Sequence, residues 1–167
     1  MFEKREGEES LAADPAAAAA DAHLVFVGRI ASPWKRREEC PKNMRAARET
    51  GMPARILIDR QYRPGLRGLD GASHVIVLTW LHHSPRNLIV QKPRHASEAR
   101  GVFALRTPVR PNPVGLHVAR LLSLDLDEGE LALEAIDALD GTPVIDVKPY
   151  FASADAVPEA TVRQSGR

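Results

Sequence analysis

Between residues 106 and 117 the chain reads RTPVRPNPVGLH, placing two guanidinium groups and a carboxamide, Arg106, Arg110 and Asn112, among Pro108, Pro111 and Pro113. Three prolines within six positions remove three backbone donors and hold the residue before each in extended geometry, so this stretch is neither a helix nor a central strand. It is a stiff corner that sets its side chains before any ligand arrives. A planar guanidinium presents parallel donors that suit a carboxylate or a phosphate, and the chemistry expected here is the grip of a polar, anionic group. Gly115 then admits a close neighbour.

The elements that must position this corner read as strands. A short apolar strand over Val102, Phe103, Ala104 and Leu105 is expected to deliver Arg106, and the alternation of Leu116, Val118, Leu122 and Leu124 resumes a strand beyond it. Upstream, HLVFVGRI (23–30), ARILID (54–59) and SHVIVLTWLHH (73–83) are strand-like, the last being the most apolar and rich in β-branched residues. Downstream, VARLLSLDL and ELALEAI flank Asp127, Glu128 and Gly129 as a hairpin, and VIDV forms a last strand after the turn at Asp140 and Gly141. KRREECPKNMRAARE (35–49) is divided by Pro41 and is expected to be an irregular basic loop, and SPRNLIVQKPRHASEAR (84–100) a lid or a crossing connection. Six or so strands without a convincing amphipathic helix predict an all-β fold, a small single-domain β-barrel or sandwich, mostly antiparallel, with long polar loops.

Four segments of the chain resemble one family. RTPVRPNPVG is similar to the RSPFRPNPIG signature of the YaeB-like proteins, also called TrmO or TsaA-like; VGRIASPWK (27–35) resembles their GxIxSPYK, GLDGASHVIVLTWLHH (68–83) their RGLEGFSHIWVIFxFH, and IDALDGTPVIDVKPY (136–150) their xDLLDGTPVLDIKPY. The resemblance runs from about Val27 to Asp155. It implies a β-barrel that binds S-adenosyl-L-methionine, methylates tRNA at N6 of the threonylcarbamoyladenosine beside the anticodon, and works as a homodimer in the cytoplasm. Carried over position by position, it implies cofactor contacts at His82, His83, Arg106 and Leu116, and along Glu134, Ala135, Ile136 and Asp137. Arg106 would hold the methionine carboxylate, Asp137 the amino group or the ribose hydroxyls, and the Glu134–Asp137 backbone the adenine edge, with Leu116 and Ile136 packing the ring. A further contact would fall on Met44, Arg45 and Ala46, where this chain departs from the bacterial Pro-Gly-Leu. Asp146, Lys148 and Tyr150 are chemically able to take the N6 proton, and the catalytic base is left open among them. Bacterial members carry a further C-terminal domain, whereas this chain stops about 17 residues past Tyr150. A methyltransferase with another RNA or a small-molecule acceptor, and a non-catalytic RNA-binding or cofactor-sensing barrel, are the competing readings.

Bulk properties narrow the rest. The 167 residues suit one domain with a real core, expected over 23–155, with an acidic, Ala-rich, disordered tail over 1–22 and a second tail over 156–167. A single cysteine, Cys40, excludes an intrachain disulfide, and no apolar run reaches the ~18 residues of a membrane helix. Cys40, His95 and His117 form no metal-ligand spacing, and His82 and His83, read as adjacent strand residues, would point to opposite faces, so no metal is expected. The glycines at 65, 68 and 71 precede a strand, an order that excludes a Rossmann phosphate loop. Net charge is +1, yet residues 29–120 carry 18 Lys and Arg against 6 Asp and Glu while residues 121–160 carry 1 against 10. That asymmetry makes either a basic lobe able to attract a phosphate backbone or two charge sets that interleave and pair.

Overall fold

Alternation of apolar and polar residues with period two sets the architecture. The computed structural model describes residues 5–12, 22–93 and 96–162, and within them six antiparallel strands close into a barrel. The strands are β2 (Gly28–Ala31), β3 (Ala54–Ile58), β4 (His74–Trp80), β7 (Val114–Asp125), β8 (Glu130–Leu133) and β9 (Pro143–Pro149), in the order β2-β3-β8-β7-β4-β9. Ile30, Ala54, Ile56, Ile58, Val75, Val77, Ala119, Leu131, Leu133 and Val144 point inward and are buried, so side chains fill the barrel. Three short strands, β1 (Glu9–Ser10), β5 (Leu88–Gln91) and β6 (Arg100–Gly101), form a separate sheet in the order β1-β5-β6. The all-β, antiparallel barrel read from the sequence is the fold observed.

Several local expectations change. Residues Val102–Ala104 form a 3-10 turn instead of a strand, because the Arg110 guanidinium takes the Val102 and Leu105 carbonyls that a strand would pair, and Phe103 is left 79% exposed. The basic loop contains a helix, α1 (Met44–Glu49), which begins three residues after Pro41 with Asn43 as its cap, the side chain accepting from the Ala46 amide. The segment from His23 is strand only from Gly28. The expected N-terminal tail contributes β1, held by Glu8, whose carboxylate accepts from Arg5 and the Lys92 amide; residues 1–4 and 13–21 of that tail lie outside the described residues, as do His95 and the last five residues of the C-terminal tail. A second short helix, α2 (Ala152–Asp155), follows β9. Among the described residues no helix is long and apolar enough to cross a membrane, and no group of three His, Cys, Asp or Glu side chains is placed to hold a metal ion.

The two charge sets interleave. Arg48 pairs with Glu134, Arg55 with Glu130 and Lys35 with Asp140, each joining the basic stretch to the acidic one.

Candidate functional site

Two of the sequence motifs clasp each other. Ser32 Oγ donates to Ala138 O (2.9 Å) and Trp34 Nε1 to Ile136 O (2.8 Å), while the Ser32 amide and Lys35 Nζ both donate to the Asp140 carboxylate, at 3.1 and 2.7 Å. Asp140 N in turn donates to Trp34 O. The SPWK segment therefore fixes the backbone of residues 136–140 on both sides of Asp137. The Lys35 ammonium beside Asp140 holds that carboxyl below its ordinary range. A depressed carboxylate adds stability above its unfolded pKa of about 3.9 and loses it as pH falls through the lower folded value. Unfolding free energy from urea titrations is thus expected to stay level from pH 7 to about 5 and drop below about 4, with Asp140→Asn flattening the acid limb; since the pair is partly exposed, its share is at most about 1 kcal/mol.

The second piece is an open strand edge. Leu81 N donates to Pro113 O and Leu121 N to Ser73 O, so the odd-numbered residues of β7 bond to β4 and the even-numbered ones face the other edge. β8 covers that edge only from Leu121 to Asp125. Earlier along β7 it is capped by two side chains and one backbone amide: Arg106 Nη2 donates to Leu116 O (3.4 Å), Arg48 Nη2 to Val118 O (2.7 Å), and the Glu134 backbone amide to Arg120 O (3.1 Å). Arg48 Nε also bonds Glu134 Oε1 at 2.8 Å, tying α1 to the residue that opens the 134–137 run. Burial alone would raise the Glu134 pKa, but Arg48 and the Arg120 amide outweigh it and hold the carboxyl low. Edge backbone groups at Leu116 and Val118, flanked by two guanidiniums and a clamped loop, make a rim able to meet the polar edge of a nucleoside.

The expected site residues sort by what they touch. Arg106 is exposed, with one long contact at the β7 edge, and most of its donors face outward. Leu116 is 49% exposed, so it faces away from the core and is free to pack against a ligand. Ile136 is fully buried in the barrel core and Ala135 is equally covered, so Ile136 does not pack a ring as expected; only backbone from these two can reach a ligand, and the Ile136 carbonyl is engaged by Trp34. Asp137 is the side chain of the 135–138 run that reaches the surface. His82 and His83 lie in the turn after β4, not on the strand, and their rings stand side by side with centroids 3.8 Å apart. Partial burial and the neighbouring His83 ring push the His82 pKa down, favouring the neutral ring. Met44 packs on the core, Arg45 pairs with Glu49 in solvent, and Ala46 lies in the first turn of α1.

Arg110 and Asn112 are not the free grip expected of them. Arg110 Nη2 donates to Val102 O and Leu105 O, and Arg86 donates to Pro111 O (2.6 Å) and Asn112 Oδ1 while its guanidinium lies over Trp80. Both brace the proline corner. Asp146 and Lys148 pair with each other at 2.6 Å on the outer wall, where Asp146 stands across β4 from the Leu78–Leu116 pair. Sequence reasoning missed Arg48 as a member of the rim and His117 as the buried partner of Asp137. Both partners lie far along the chain, so no local spacing signals them.

A closed antiparallel barrel whose rim is built by motif-bearing loops, with a β7 edge that β8 covers only in part, defines a class of closed β-barrels distinct from Rossmann sheets. Within that class the chain belongs to the tRNA-methyltransferase O N-terminal domain family, whose model matches residues 29–156. It is 42% identical to a probable S-adenosyl-L-methionine-binding protein of Methanothermobacter thermautotrophicus over 78% of this chain and 91% of that one. It is 40% identical to a probable S-adenosyl-L-methionine-binding protein of Archaeoglobus fulgidus, covering 83% of this chain but 37% of the relative. To the tRNA (adenine(37)-N6)-methyltransferase of Escherichia coli it is 32% identical over 81% of this chain and 60% of that enzyme. The crystal structure of TrmO from Pseudomonas aeruginosa superposes with a TM-score of 0.69 at 33% identity, covering 87% of this chain and 62% of that one. The chain therefore spans well under two thirds of some of its relatives.

Proposed function

We propose that this chain binds S-adenosyl-L-methionine at the β7 rim and transfers its methyl group to an adenosine N6 beside the tRNA anticodon. The observation that carries the reading is the convergence of Arg106, Leu116 and Glu134 on one β7 edge, with Asp137 bonded to His117 of the same strand, in a family whose relatives bear both names. The cofactor, when bound, supplies an electrophilic methyl group on a sulfonium. Arg106 donates to the methionine carboxylate, and Asp137 accepts from the amino group or a ribose hydroxyl. Leu116 covers an apolar face, and backbone groups at the rim orient the adenine. Such positioning accounts for much of the acceleration available to a transfer between two held reactants. The N6 proton of the acceptor must leave during attack, and Asp146, Lys148 and Tyr150 remain the groups able to receive it.

Exposed Val114 and Leu122 on the outer face of β7 support self-association into a homodimer, and the basic residues of 29–120 that lie outside the three pairs with the acidic stretch support tRNA as partner. One observation favours a second reading: relatives covered almost completely are named for cofactor binding alone, while the named tRNA enzyme is longer. Incubation of the purified chain with S-adenosylmethionine and tRNA that already carries threonylcarbamoyladenosine but lacks its N6-methyl group, followed by nucleoside mass spectrometry, separates the two. Appearance of an N6-methylated threonylcarbamoyladenosine is expected. Tight cofactor binding with no methylated nucleoside would leave a cofactor-sensing barrel or an enzyme of another acceptor.

A further inference from the structure

We propose that His117 is a positioning residue for the ligand site, setting the Asp137 carboxylate from inside the barrel. This rests on the reading that Asp137 receives the ligand. His117 is 4% exposed and points inward from β7. Its Nδ1 lies 2.6 Å from Asp137 Oδ1 and its Nε2 2.9 Å from the hydroxyl of Thr79, which is fully buried on β4. A carboxylate only accepts, so Nδ1 carries the proton, and in the neutral ring Nε2 accepts from the Thr79 hydroxyl. The chain of bonds thus has one direction, Thr79 to His117 to Asp137.

The surroundings are built for this chain. A Cβ at Gly115 would stand 2.4 Å from Thr79 Oγ1 and 2.7 Å from His117 Nε2, so the glycine of the RPNPVG motif leaves the room in which the two groups meet. A buried polar network is costly unless every member is satisfied, and an aliphatic side chain would fill this interior at less risk. Here the network ends at the surface. Asp137 sits between Ile136 and Ala138, both buried and both held by their carbonyls to the SPWK segment. With Oδ1 taken by His117, Oδ2 has no hydrogen-bond partner among the described residues and is the oxygen left for a ligand donor. Cys40 lies near enough for Asp137 to help push its thiol up, after burial, to about 11, so it stays a neutral neighbour.

Calorimetry of S-adenosylmethionine binding to the full chain tests the assignment. Asp137→Asn and His117→Leu are each expected to weaken binding ~10-fold, the usual loss for one hydrogen bond to a charge. His117→Asn, whose amide nitrogen takes the place of Nδ1, should stay within ~3-fold of wild type, and the double variant His117→Leu/Asp137→Asn should bind no worse than Asp137→Asn alone. Ring 15N spectra of the wild-type chain should show the proton on Nδ1, a result that holds even if His117→Leu does not fold. Unchanged affinity in His117→Leu beside a weakened Asp137→Asn, additive losses in the double variant, or a proton on Nε2 with Nδ1 bare would each overturn the role of His117. Unchanged affinity in Asp137→Asn would remove the underlying reading, and the proposal with it.

Discussion

Gly28→Ala is expected to lower the unfolding temperature by about 10 °C, the largest stability effect of any single methyl addition in the barrel. Gly28 pairs with Ile58 across β2 and β3, and a Cβ there would lie 2.2 Å from the Leu57 carbonyl oxygen and 3.0 Å from Ile58 Cα. Both obstacles are backbone of the neighbouring strand, so no rotamer change relieves them. The strands must move apart at the point where β2 also pairs with β9, straining the seam that closes the barrel. Overpacking typically costs ~1–3 kcal/mol, and each ladder hydrogen bond lost adds roughly 1 kcal/mol, giving about 3–5 kcal/mol in all. For a domain of this size each kcal/mol moves the midpoint by about 2–4 °C. Circular dichroism melts check the value, and a midpoint within 2 °C of wild type would mean that the β2–β3 contact is not as close as described.

Arg106→Ala is expected to weaken S-adenosylmethionine binding by about 1.5–3 kcal/mol, roughly 10- to 100-fold, with the unfolding midpoint unchanged. The split follows from geometry. Arg106 is exposed and gives the fold only a 3.4 Å contact to Leu116 O, which water replaces at little cost. Its position is nevertheless set, because Pro108 lies two residues on and the 3-10 turn before it is held by Arg110. Arg106→Lys should recover only part of the affinity, since an ammonium keeps the charge but loses the parallel donors that suit a carboxylate. Calorimetry on the three proteins decides the matter. Equal affinities would remove Arg106 from the site and direct attention to Arg48, which caps the same edge. A fall in the midpoint matching the fall in affinity would make the residue structural.

The barrel was legible because its signal is local. In β4 every second residue, Val75, Val77 and Thr79, is buried, and that alternation stands in the sequence as plainly as in the fold. The hairpin at 125–130 was legible for the same reason. The 102–105 segment was not: four apolar residues satisfy a strand pattern whether or not their backbone pairs with a strand, and here the Val102 and Leu105 carbonyls are taken by Arg110. Similarly, His82 and His83 continue an apolar strand in sequence, but β4 ends at Trp80, where Leu81 N bonds to Pro113 O and the chain turns. Ile136 illustrates the limit of motif transfer, since a position can match a family pattern while its side chain serves the core.

By itself the sequence determined the fold class, the rigidity of the proline corner, the family and the order of its motifs along the chain. Each of these depends on residue type, short-range spacing or contiguous likeness, and each is encoded within a few residues. Only the tertiary structure decided which arginine braces the corner and which faces outward, that Arg48 closes the β7 edge on Glu134, and that Asp137 is held by His117 from within. Those outcomes depend on barrel register, which brings residues 20 to 86 positions apart within hydrogen-bond distance. Register is settled by closing all six strands together, and no local pattern carries that information.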